Sequence, residues 1–105
     1  MVNKRKKEKR ERINKDKEWA KLVKTRDNYT CQVCKKQGKN QGINAHHIIP
    51  RIVKELRHDL KNGITLCPSC HRWGKNSAHQ NAIFFSEWLK ENKFEIFKYL
   101  REKIK

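Results

Sequence analysis

The fold turns on residues 43–71, which read INAHHIIPRIVKELRHDLKNGITLCPSCH. Residues 43–49 are rich in β-branched side chains and can form a strand, which Pro50 ends. Asn62-Gly63 is a turn signal, and residues 64–66 (ITL) form a short apolar strand that runs into Cys67. Pro68 suits the first turn of a helix, so a helix is expected from Ser69 to about Gly74. Between the strands, residues 51–63 are polar with Val53, Leu56 and Leu60 interspersed, which fits a helical turn or an ordered loop. His46 and His47 are neighbours on the first strand. Successive strand side chains point to opposite faces, so an ideal strand cannot aim both rings at one ion.

Cys67 and Cys70 at the end of this stretch make a C-x2-C pair, and Cys31 and Cys34 make another; the chain has 4 cysteines in all. Each such knuckle presents two sulfurs to one side of an ion, and two knuckles close a tetrahedral zinc shell with no open position. That marks a structural Zn2+ site rather than a catalytic one. The alternative is two disulfides. The basic N-terminal stretch Asn3 to Glu18 holds a single apolar residue, Ile13, so no secretory signal is read there and the expected compartment is the reducing cytoplasm, which favours metal over disulfide. A chain of 105 residues, 36% charged and 35% hydrophobic, is one small domain that needs such a staple.

The flanks carry the charge. With 27 Lys and Arg against 11 Asp and Glu, the net charge is +16, which points to a polyanionic partner. No apolar run is long enough for a membrane span, so nucleic acid is the expected partner and a membrane is not. Residues 1–18 form a basic tail in which Lys4, Arg5, Lys6 and Lys7 are candidate phosphate contacts; a solvated, partly helical tail is the plainer reading. Residues 17–26 place Trp19, Leu22 and Val23 at helical spacing as a short amphipathic helix, broken by Asp27-Asn28. Residues 35–42 are a polar loop. From Asn81 the pattern is helical again. Ile83, Phe84, Trp88 and Leu89 form one apolar set and Phe94, Phe97, Leu100 and Ile104 another, with Glu91-Asn92-Lys93 separating two helices or bending one. The stripe reads as core, although a homodimer or a packaging-protein contact could also use it. The division is thus a tail over 1–18, a central domain over 19–79 and a helical segment over 80–105.

In order along the chain, Cys31, Cys34, His46, His47, Pro50, Asn62, Cys67, Cys70 and His71 resemble the HNH endonuclease family in its phage and bacterial zinc-knuckle form. The resemblance covers about residues 19–79. It implies an α+β fold, a small ββα-metal finger with strands near 43–48 and 63–67 and a helix from Pro68, stapled by the four-cysteine zinc and flanked by N- and C-terminal helices. It also implies metal-dependent hydrolysis of DNA phosphodiester bonds, by nicking or weakly selective cutting, to 3′-hydroxyl and 5′-phosphate ends. His47 would be the general base on water, a task that suits imidazole. Asn62 would bond the loop backbone and hold His47. His46 and His71 would bind a catalytic divalent ion, Mg2+, Mn2+ or another transition metal, that stabilises the leaving oxygen.

One position departs from the family. Many relatives carry a His four residues after the helix His, and here Lys75 stands there, a candidate phosphate contact. His79 lies eight residues on, about 12 Å along an unbroken helix. It is a candidate ligand only if the helix ends at Gly74. His58 reads as a surface residue, Asp59 as a loop anchor or a solvated side chain, and Trp73 as a cover for the hairpin. Two other functions fit parts of the pattern: a non-catalytic zinc ribbon that binds nucleic acid, and a packaging-complex component with nicking activity.

Overall fold

The computed structural model describes residues 3–38 and 42–105. The expected loop over 35–42 therefore lies partly outside the described residues, as do the first two residues of the basic tail. A long helix, α1 (Lys4–Arg26), precedes strand β1 (Asn44–His47). Two short 3-10 turns, Lys54–Leu56 and Leu60–Asn62, lead into β2 (Gly63–Leu66). A π-helical turn (Ser69–Trp73) follows, then α2 (Ala82–Asn92) and α3 (Phe94–Lys103). This is an α+β fold in which a two-stranded sheet is flanked by helices.

The N-terminal helix is longer than the sequence pattern suggests. Asn3 caps it by accepting from the Arg5 amide at 3.0 Å, and Lys, Arg and Glu are good helix formers even where nothing is buried. The charged tail and the short amphipathic stretch are one helix running across position 18. Of its residues only Trp19 and Val23 are buried, and Leu22 stays 45% exposed. The end of α1 is tied to the sheet. Arg26 donates to the carbonyls of Leu60 and Gly63, and the Asp27 carboxylate accepts from the Thr65 amide. Asn28 and Tyr29 then turn the chain at φ 54° and 51°.

β1 and β2 pair antiparallel, with Asn44 opposite Leu66 and His47 opposite Gly63. Trp19 and Val23 press directly on this end of the hairpin. A Cβ on Gly63 would stand 2.5 Å from Val23 Cγ2 and 2.6 Å from Trp19 Cζ2. A rigid indole and a β-branched side chain give little room, so Gly63→Ala should cost on the order of 1–3 kcal/mol. Thermal unfolding of the metal-loaded protein should then shift down by several degrees. An unchanged midpoint would mean α1 is not seated on β2 as described.

The core gathers Cys31, Ile43, Ile64, Leu66, Cys67, Phe85 and Leu89, with Trp88 and Phe97 partly buried against it. Two expectations about the apolar residues are corrected. Trp73 does not cover the hairpin, because it is 78% exposed at the end of the π-turn. In α2 the inward face is Phe85 and Leu89, while Ile83 is 75% exposed. The Asn81 cap, which accepts from the Phe84 amide at 3.0 Å, sets the helix rotation and turns Ile83 and Phe84 outward. Lys93 does separate two helices, and α3 buries Leu100.

Candidate metal centres and active-site cleft

The four cysteines converge as the spacing requires. Their sulfurs lie within 4.8 Å of one another, with Cys34 Sγ and Cys67 Sγ 3.6 Å apart. The first knuckle closes through the Thr30–Gln37 bridge and a Cys31 amide bond to the Lys36 carbonyl, and Lys35 takes the left-handed turn position at φ 67°. Burial pushes the Cys31 thiol up, but amides of Cys34, Cys67 and Val33 directed at its sulfur outweigh this and hold it at about 7. Burial pushes Cys34 and Cys70 upward. Packing four thiols this closely is unfavourable for the thiolates alone and suits a cation that shares their charge. The cluster could hold a metal ion such as zinc.

The second cluster is made of histidines. His46 on β1, His71 in the π-turn and His79 after it place ring nitrogens within 4.8 Å of one another. The Nε2 atoms of His71 and His79 are 3.0 Å apart, and the His46 ring meets both others edge-on, at 5.0 and 5.2 Å between centroids. His79 reaches the group because the chain doubles back after Trp73. Gly74 leaves the helical conformation at ψ 153°, the Ala78 amide bonds the Cys70 carbonyl, and the His79 amide bonds the His71 carbonyl at 3.1 Å. Eight residues of sequence separation thus become a direct side-chain contact.

The chemistry of this donor set fits a divalent ion. His71 Nδ1 is buried and has no hydrogen-bond partner among the described residues. Burial first, then the neighbouring rings and Arg72, hold His46 at about 3 and His71 at about 4. Both imidazoles are therefore neutral near pH 7, the form that coordinates a metal.

His47 faces away from this group, as strand alternation demands. Its ring stacks on Trp19 with centroids 3.7 Å apart and planes 9° from parallel. His47 Nε2 lies 2.8 Å from the Arg57 carbonyl. A carbonyl only accepts, so Nε2 carries the proton and Nδ1 keeps its lone pair in the neutral ring. Burial pushes the His47 pKa down, which favours that neutral form. Asn62 is fully buried beneath the loop. Its Oδ1 accepts from the Ile49 amide at 2.6 Å, and its Nδ2 donates to the carbonyls of Ile49 and Leu56 at 3.0 Å. It thereby pins the segment that runs from His47 toward Arg57.

All four histidines line one cleft of about 790 Å³ between α1, β1 and the C-terminal helices. Arg51 and Arg72 also line it, with Phe85 and Leu89 on its apolar side. Sequence reading missed these two arginines and Arg101, which lines the cleft from α3. Lys75 is exposed and is not among the lining residues, and Lys4, Arg5, Lys6 and Lys7 lie exposed on the first turn of α1. His58 is more than a surface residue, since its Nε2 meets Asp16 Oδ1 at 2.6 Å. Asp59 anchors the loop. Its carboxylate accepts from the Lys61 amide and the Tyr99 hydroxyl, and its carbonyl accepts from the Trp19 indole.

A two-strand hairpin with a helical turn, a histidine cluster on it and a four-thiol cluster beside it defines a ββα-metal finger. Residues 31–77 match the model of the HNH endonuclease family, so this stretch is similar to that family's domain. His46, His47, Asn62 and His71 fall inside the match, while His79 and all of α1 fall outside it. The chain is also 43% identical over 51 residues to Anaredoxin of Nostoc sp., an alignment covering 49% of this chain and 63% of the relative. No solved structure matches. The domain supports a nuclease- or nucleic-acid-related function. Among the described residues no helix is long and apolar enough to cross a membrane.

Proposed function

We propose that this chain is a divalent-metal-dependent HNH endonuclease that hydrolyses DNA phosphodiester bonds, by nicking or with weak sequence selectivity. The observation that carries the reading is the division of labour on β1. His46 joins His71 and His79 on one face while His47 stands on the other with a free Nδ1, and all four open on one cleft. A nucleic-acid-binding ribbon needs the four thiols but has no use for four convergent imidazoles.

In this reading Cys31, Cys34, Cys67 and Cys70 hold a structural Zn2+ that ties the first knuckle to β2 and the π-turn. His46, His71 and His79 hold the catalytic ion, for which Mg2+ and Mn2+ are the candidates. When bound, that ion supplies Lewis-acid stabilisation of charge on the scissile phosphate and its leaving oxygen. His47 Nδ1 takes the proton of the attacking water, and the Arg57 carbonyl steadies the imidazolium that results. Asn62 holds the loop that presents that carbonyl. Arg51 and Arg72 place positive charge in the cleft for backbone phosphates, and Lys75 with the basic turns of α1 extends it along the duplex.

The direct test is nicking of supercoiled plasmid by the purified protein with Mn2+ or Mg2+, with EDTA as control. Conversion to open circles that requires the divalent ion is expected, with 3′-hydroxyl and 5′-phosphate ends. DNA binding without metal-dependent nicking under any divalent ion would favour the ribbon reading instead.

A further inference from the structure

We propose that α1 is a splint for the general base, with Asp16 as a positioning residue that acts on His47 through Arg57. The inference rests on the nuclease reading above and concerns residues outside the segment that matches the family.

Two restraints fix the His47 ring, and both trace back to one face of α1. Trp19 lies flat against the ring at 3.7 Å and sets its plane. The Arg57 carbonyl accepts from Nε2 at 2.8 Å and sets the ring's rotation and tautomer. The carbonyl belongs to the loop that Asn62 pins from within through Ile49 and Leu56. Asp16 adds a hold from outside it, at Arg57 itself. Its Oδ1 accepts from Arg57 Nε at 2.8 Å and its Oδ2 from Arg57 Nη2 at 2.6 Å, a two-pronged carboxylate–guanidinium pair. His58, the next residue, grips the same carboxylate. Two consecutive loop residues are thus clamped to α1 on either side of the peptide unit whose carbonyl holds His47.

Asp16 and Trp19 are three positions apart, which places them on the same side of a helix. A shift of α1 would therefore move both restraints together. The pairing also accounts for an isolated acid in a basic setting. Among the described residues, Asp16 is the one carboxylate lining the cleft. A negative charge there opposes DNA approach, and its ion pair with Arg57 offsets that cost.

The experiment compares wild type, Asp16→Asn, Asp16→Glu and Glu18→Gln in the full chain loaded with zinc. Glu18 is exposed on the same helix and controls for the lost charge. Plasmid nicking with Mn2+ should show kcat for Asp16→Asn down on the order of 10- to 100-fold, with KM for DNA unchanged or lower. Asp16→Glu should recover part of the loss, and Glu18→Gln should behave as wild type. In parallel, imidazole 15N correlation spectra without added Mn2+ or Mg2+ should show a single Nε2–H tautomer for His47 in wild type and a tautomer mixture in Asp16→Asn. Wild-type kcat in Asp16→Asn overturns the proposal, as does a fall that its reduced folded fraction fully explains. If wild type does not nick at all, the nuclease reading fails by itself. The His47 spectra then decide the splint, and an unchanged tautomer in Asp16→Asn rejects it.

Discussion

His47→Ala should abolish metal-dependent nicking, lowering the rate on the order of 1,000-fold, while the protein still folds and still binds Mn2+. The size follows from the role, since a positioned proton acceptor typically contributes a factor of about 100 to 10,000. Retention of metal binding follows from geometry. His47 points away from the cluster of His46, His71 and His79 and touches Trp19 and the Arg57 carbonyl instead. His46→Ala is the contrasting variant, because it should lose both nicking and Mn2+ affinity. The ring of His47 is only half-buried, so its removal exposes one face of Trp19 and costs some stability without opening a closed cavity. The pair of variants, read by plasmid nicking and by calorimetric titration with Mn2+, separates proton transfer from metal binding on two adjacent residues. If His47→Ala nicks at the wild-type rate, the base is elsewhere in the cleft. If it loses Mn2+ binding as His46→Ala does, the strand does not divide the two jobs.

The parts of this site that could be read from sequence are those set by local rules. Knuckle spacing brings the sulfurs together because two intervening residues leave little freedom. Strand alternation separates His46 from His47 whatever surrounds them. Asn62-Gly63 marks the start of β2, and the structure adds that Gly63 is required there by the indole and valine pressed on it. What escaped depends on contacts between distant segments. Nothing in residues 4–15 announces burial, so the continuity of α1 shows only when its inner end is seen docked on β2. Arg57 and Asp16 are 41 positions apart, and no spacing rule links them. His79 becomes a neighbour of His71 because the helical turn ends at Gly74, the condition on which the sequence made it a candidate ligand. The phase of α2 is set by the Asn81 cap, and so Phe85, not Ile83, enters the core.

Cys67→Ser should unfold the domain at moderate temperature and abolish zinc binding, the largest stability effect expected of any single substitution here. Cys67 is 2% exposed and belongs to the core as well as to the thiol cluster. It also sits at the junction of β2 with the π-turn, where its carbonyl accepts from the His71 amide at 2.8 Å. A bound ion at this point would join three separate things: the knuckle after α1, the end of β2 and the turn that carries His71. The sheet itself is two strands of four residues each, which is marginal in water without such a tie. Free energies of structural zinc sites are on the order of 10 kcal/mol, as large as the whole stability of a small domain. Replacing one thiolate by a hydroxyl removes most of that and leaves three thiols crowded without a cation. Zinc content by absorption spectrometry and melting by circular dichroism should fall together, and excess chelator should reproduce the effect in wild type. The histidine cluster should be lost with them, because His71 and His79 are held in place by the turn that begins at Cys67. A Cys67→Ser protein with unchanged zinc content and melting would refute a structural role for the thiols. One that keeps its fold but loses zinc would show that the hairpin and helices suffice without the staple.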